Sequence, residues 1–143
     1  MMIELFSFRG RTGRLGYWRV QLLSVVLIAI VVTAGYAAII AFGRVGGVLM
    51  LGLAPVLPLL VATMLRRLHD RGKGVGWLLL FQLCPLLASG AGQDLMIEDA
   101  LGMRLVGALL SLAGFGLALW GFVEVGFLRG DPGDNRFGAA PAR

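Results

Sequence analysis

Apolar residues in this chain come in long blocks, not at alternating or amphipathic intervals. Val20 to Phe42 contains 23 residues without a charge. A bilayer core is crossed by about 20 predominantly apolar residues in a helix, so this block predicts a membrane span. Val45 to Leu65 predicts a second span, interrupted by Pro55 and Pro58. Val75 to Ala91 predicts a third, short and containing Pro85. Leu105 to Leu128 predicts a fourth, with one acid, Glu124, near its end. Proline is tolerated in such helices because neighbouring groups satisfy the freed carbonyls. The third block reaches only roughly 25 Å as a helix, so it either thins the bilayer locally or re-enters the face it left. The pattern predicts an all-α, four-helix transmembrane bundle forming a single domain. The first block is longer than the apolar region of a signal peptide, and three more follow it, which argues against cleavage.

Polar residues between the blocks set direction. Arg9, Arg11, Arg14 and Arg19 precede the first block. Arg66, Arg67, Arg71 and Lys73 separate the second from the third, and Arg129, Arg136 and Arg143 follow the fourth. These segments hold 11 basic residues, against Arg44 and Arg104 in the other two loops. Basic flanks stay in the cytoplasm, so both termini are predicted to be cytoplasmic. The loop carrying Asp94, Glu98 and Asp99 then faces outward. Those acids could begin the fourth helix early, at its positive dipole end.

Composition narrows the picture further. The chain is 58% hydrophobic and 15% charged, well outside the balance of soluble domains. Its net charge of +5 flanks apolar spans instead of forming one basic face, which excludes nucleic acid as a partner. The single cysteine, Cys84, lies in an apolar run and is expected to act as a small buried hydrophobe.

Within the fourth block, Gly107, Ser111, Gly114, Ala118 and Gly121 recur at spacings of 4, 3, 4 and 3. That repeat sets five small side chains along one seam, where helix backbones can approach closely in lipid. Ala29, Thr33, Ala37 and Ala41 of the first block offer a matching stripe. The seam serves packing within one subunit, or a homo-oligomer or membrane-protein partner.

Three polar segments carry the remaining chemistry. In the first, Gly10, Gly13 and Gly16 alternate with Arg11 and Arg14. Glycine at this density opposes a helix. Its backbone amides beside guanidinium groups could cradle an anion, or the segment could be a topology signal with Tyr17 and Trp18 as interfacial anchors. In the second, Asp70 sits among Arg66, Arg67, Arg71 and Lys73 beside the only histidine, His69. Gly72, Gly74 and Gly76 follow no strand, and Gly72-Lys73 lacks the next Ser or Thr, so neither a dinucleotide fingerprint nor a P-loop is present. One histidine is too few for an ordinary metal site, and an interfacial hydrogen-bonding role is expected for it. The third, residues 130–138, is turn-forming, and its acids lack the spacing of a calcium loop.

An even span count brings all three segments to one face. Arg11, Arg14, Arg67, Asp70, Asp134 and Asn135 are therefore expected to form one polar cytoplasmic cap, with Asp131 and Asp134 meeting arginines of the other segments. The cytoplasmic segments hold 11 bases against Glu4, Asp70, Asp131 and Asp134, a surplus of +7. That surplus should attract anionic phospholipid.

Taken together, these segments resemble the bacterial inner-membrane proteins of the domain of unknown function 805 family. The resemblance rests on Phe8, Gly10, Arg11, Arg14, Tyr17 and Trp18 before the first span. It continues through Arg67, Leu68, His69, Asp70, Trp77 and Pro85, and closes with Gly130, Gly133, Asn135, Phe137, Gly138 and Pro141. Gly76 stands where the family often has an aromatic, and Arg71 where a smaller residue is frequent. The resemblance implies a four-span bacterial inner-membrane protein with no established activity.

Enzymatic readings lack residues. No span carries a Ser or Cys with a His partner at depth, and no Cys-x-x-Cys is present. No cofactor is expected. Two functional classes remain. One is an accessory or interaction protein whose cytoplasmic face binds anionic lipid or a protein partner. The other is a small transporter or channel using Glu124, an intramembrane acid. Glu124 lies close to the end of its span, where pairing with Arg19, Arg66 or Arg67 is expected.

Overall fold

The computed structural model describes residues 6–141. Glu4 and Arg143, counted in the charge balance, lie outside the described residues. Helix α1 spans Arg14–Phe42. A 3-10 segment, Gly43–Leu53, leads into α2, Val56–His69. Helix α3 runs Val75–Met96 with a π turn over Leu79–Leu83, and α4 spans Leu101–Gly126.

Three helical runs are long and apolar enough to cross a membrane: Arg14–His69, Val75–Met96 and Leu101–Gly126. At most 17% of the most apolar window of each is buried inside the protein. Leu23, Ile40, Leu109 and Phe115 are among the many large apolar side chains facing outward. Such a surface is an aggregation liability in water and is matched by hydrocarbon. This is a membrane protein.

The first run contains 56 residues. Straight, it would extend about 84 Å, nearly three times the bilayer core. Instead it folds back at Gly43, whose φ of +66° suits a residue without Cβ. The returning segment lies along α1. A Cβ on Gly46 would run into the Ala38 backbone, one on Gly35 would meet the Met50 side chain at 2.6 Å, and one on Gly52 would touch Val31 at 3.7 Å. The run is thus two antiparallel legs.

Proline explains two departures from regular helix. Pro55 occupies the N-cap of α2 and Pro58 its first turn, where no intrahelical N–H bond is lost. They set where α2 begins instead of interrupting it. Pro85, in contrast, sits inside α3, and its ring would clash with the carbonyl of Phe81 four residues earlier. The π turn over Leu79–Leu83 widens the helix there and aims Phe81 inward, where it is 3% exposed.

Several expectations are corrected. Helix α3 continues beyond Ala91 to Met96, giving 22 residues and about 33 Å, so it is not short. Helix α4 does start early, at Leu101 instead of Leu105, but with no acid in its first turn; Asp94 ends up on α3, and Glu98 and Asp99 lie in the turn before α4. Helix α1 begins at Arg14 and includes Gly16 despite the glycine density, because Tyr17 and Trp18 dock tertiary partners. Cys84 is exposed on the outer face of α3, since the inward positions around it belong to Phe81 and Pro85.

The small-residue seam of α4 packs inside the subunit, against α3. Gly107, Gly114 and Gly121 are buried. A Cβ there would lie 2.5 Å from the Gly92 carbonyl, 3.1 Å from the Pro85 carbonyl and 2.8 Å from Phe81 respectively. Ser111 is half-buried beside Gly92, whereas Ala118 is exposed. The true repeat is seven residues. Ala29, Thr33, Ala37 and Ala41 of α1 are all exposed and form no matching stripe; α1 turns Ser24 and Gly35 inward instead. The two hairpins, α1 with its return leg and α3 with α4, join at one end. There Tyr17, Met64, Leu65, Leu68, Leu78, Phe81 and Val125 form the core.

Candidate functional site

Beyond that core, three chain segments close over the end of the bundle: residues 6–13, the loop from α2 to α3, and the tail after α4. Asp70 is their centre and is 3% exposed. Arg11 approaches from the first segment, donating from Nε at 3.2 Å and Nη2 at 2.9 Å to Asp70 Oδ1. The same guanidinium donates to the tail carbonyls of Gly133 at 2.6 Å, Gly138 at 3.2 Å and Asp131 at 2.8 Å. Arg67 pairs with Asp70 Oδ2 from one turn away on α2. Its Nε donates to Val125 O at 2.9 Å and its Nη2 to Leu128 O. The Val125 carbonyl belongs to the unsatisfied last turn of α4 and Leu128 lies just beyond it, so a fully buried arginine on α2 caps another helix. Both arginine side chains are 0% exposed.

The tail is threaded closely over this centre. Asp131 N donates to the Asp70 carbonyl at 2.7 Å. Any Cβ on Gly130 would run into the Asp70 carboxylate. Asn135 donates to His69 O and Asp131 Oδ2, both at 2.9 Å. His69 stacks on Phe137 with ring centroids 4.0 Å apart, and its Nδ1 lies 3.1 Å from the Gly10 carbonyl. Each segment therefore holds the other two.

Glu124 sits beside this network but pairs differently from expectation. It is 4% exposed and accepts from Arg71 at 2.8 Å and Lys73 at 2.6 Å, not from Arg19, Arg66 or Arg67. The α2–α3 loop folds over the end of α4, and Lys73 also rests over the Trp77 ring, 3.7 Å from its centroid. One carboxylate faces two cations. Sequence reasoning did not single out Arg71 and Lys73, because only this loop path reveals their target.

Other expected members have different places. Tyr17 is buried in the core, and its hydroxyl accepts from Gln21 at 2.8 Å. Trp18 donates from Nε1 to Gly126 O at 2.9 Å. Both tie α1 to its neighbours instead of simply marking the interface. Asp134 does not join the arginines; it accepts from Ala140 N at 3.0 Å within the tail. The Asp131 carboxylate likewise turns to Asn135. Short turns satisfy such acids locally. Among the described residues Arg14 donates to the Phe127 carbonyl, at 3.3 Å, and to no acid. Among the described residues no three His, Cys, Asp or Glu side chains converge as metal ligands.

Between the start of α1 and the end of α4 lies a cleft of about 1050 Å³. Arg11, Arg14, Arg19, Arg67 and Arg129 line it, with Asp70 and Asp131 the acids. Both acids are already engaged by the contacts above. Arg14, Arg19 and Arg129 have no acidic partner among the described residues. Arg19 and Arg129 were legible only as positive charge; their convergence depends on how α1 and α4 cross.

No curated protein and no solved structure matches the chain. A family model described as protein of unknown function (DUF805) matches residues 5–139. The match takes in all four helices and, up to residue 139, the three closing segments, which together form a clasp over the bundle end; the chain belongs to that family.

Proposed function

We propose that this is a four-span inner-membrane protein of bacteria, with both termini cytoplasmic, which works as an accessory or interaction protein and binds anionic lipid at its cytoplasmic face. The antiparallel legs of the Arg14–His69 run supply the two crossings that a single long helix would not. The clasp then lies on the side holding 11 of the 13 basic residues, which the positive-inside rule assigns to the cytoplasm. The observation that carries lipid binding is the unbalanced set Arg14, Arg19 and Arg129 in the cleft. Each base close to an anionic surface contributes on the order of 1 kcal/mol.

The transporter reading loses support from the geometry of Glu124. A carboxylate held by two cations from an adjoining loop has no charge left to attract a cation. The small-residue seam, filled by α3, needs no second copy.

Reporter fusions after Arg143 and near Asp94 should give cytoplasmic and periplasmic signals respectively. A periplasmic signal at Arg143 would refute the topology. For lipid binding, protein in phosphatidylcholine nanodiscs should unfold at a lower temperature than in discs containing phosphatidylglycerol. The difference should shrink with salt. Identical unfolding in both membranes would refute it.

A further inference from the structure

We infer that the arginine cleft is a site for one lipid carrying two phosphate groups, an inference that rests on the orientation and anionic-lipid reading above. Three observations carry it. First, five arginines and two aspartates line the cleft, leaving three positive charges. A single phosphodiester balances one. Second, the cleft is built instead of being a loose basic patch. The side chains of Arg11 and Arg67 forming its floor are 0% exposed and fixed by Asp70, while Arg14, Arg19 and Arg129 are exposed at its edge. Planar guanidinium groups suit bidentate phosphate recognition. Third, the cleft sits where α1 starts and α4 ends. Leu15 and Phe127, 65% and 53% exposed, stand in its wall, and Leu22 and Phe122 continue the apolar surface along the helices. A ligand with its phosphates in the cleft has acyl chains beside those residues.

The shared chemistry is a pair of phosphates on a short linker, which a soluble diphosphate also offers. The apolar wall favours the lipid. Basic pockets between spanning helices on the cytoplasmic side bind headgroups of this kind.

The test compares unfolding temperature and lipid retention by native mass spectrometry in phosphatidylcholine membranes. The probes are cardiolipin, twice its molar amount of phosphatidylglycerol, and inorganic pyrophosphate. Cardiolipin should stabilise the protein more than phosphatidylglycerol at matched phosphate, and pyrophosphate should not reproduce the effect. Replacing Arg19→Gln and Arg129→Gln should weaken cardiolipin retention about fivefold per arginine, as expected for bases worth about 1 kcal/mol each. Arg44→Gln with Arg104→Gln removes the same charge at the opposite end and should leave the preference intact. Equal stabilisation by the two lipids overturns the two-phosphate site and leaves general anionic-lipid binding standing. No stabilisation by either overturns both. An equal effect of pyrophosphate overturns the lipid as the source. Because the lipid comparison is made on the unaltered protein, a variant that fails to fold does not remove the test.

Discussion

Asp70→Ala removes the one group on which two buried arginines converge. In the folded protein its side chain is 5% exposed and those of Arg11 and Arg67 are 0% exposed. Taking away one partner of a buried ion pair costs about 3–5 kcal/mol, because the other charge stays behind without compensation. Arg67 remains anchored by Val125 O and Leu128 O, and Arg11 by the tail carbonyls. Neither can swing to solvent without uncapping α4 or releasing the tail, so relaxation offers little escape. With about 3 °C lost per kcal/mol in a chain of this size, the unfolding temperature should fall by about 10–15 °C. The measurement belongs in neutral detergent, where lipid charge does not contribute. A double-mutant cycle with Arg11→Gln should return a coupling of at least about 1 kcal/mol. A fall of less than about 3 °C together with additive single variants would refute the reasoning. The clasp would then be hydrated, and Asp70 no more than a surface charge.

Gly121→Ala should cost about 1–3 kcal/mol by overpacking, since its Cβ would lie 2.8 Å from Phe81. Gly116→Ala on the same helix meets nothing within 4 Å and should be neutral or slightly stabilising, as alanine's higher helix propensity requires; thermal unfolding of the two side by side checks the seam's register. Glu124→Gln leaves Arg71 and Lys73 facing a neutral amide and should cost about 1–3 kcal/mol, reduced by the partial exposure of both cations. Unchanged stability would end its role as a structural pair and revive the transport reading.

The apolar blocks were legible because hydrocarbon imposes a length on any helix that crosses it, and block length reads directly from the chain. The start of α3 at Val75 was legible too, but its C-terminal end was not, because Gln93 and Asp94 look like loop residues until the helix is seen to carry them past the core. The seam was visible as small residues, but spacing alone could not choose between Ala118 and its neighbours. The partner helix was set by the reversal at Gly43, which occupies one side of α1. Asp70 stood out as an acid among bases, and Arg11 and Arg67 do meet it. Asp134 misled because an acid in a tight tail finds a backbone N–H six residues on before it finds an arginine. Gly130 was marked only by turn propensity and by its place in the family pattern, neither of which shows that its missing side chain is what lets the tail cross Asp70.

Arg67 is synthesised well before the groups it serves. Val125 and Leu128 emerge more than fifty residues later in the sequence, which at about 5–20 residues per second means a wait of several seconds. Until then Arg11, Arg67 and Asp70 must stay hydrated at the membrane surface. The end of the bundle closes only when the tail arrives and threads its carbonyls onto Arg11. The clasp is consequently a record that synthesis has passed residue 138. A chain stopped before residue 125 lacks the carbonyls that close this end, and presents it charged and open for as long as it exists.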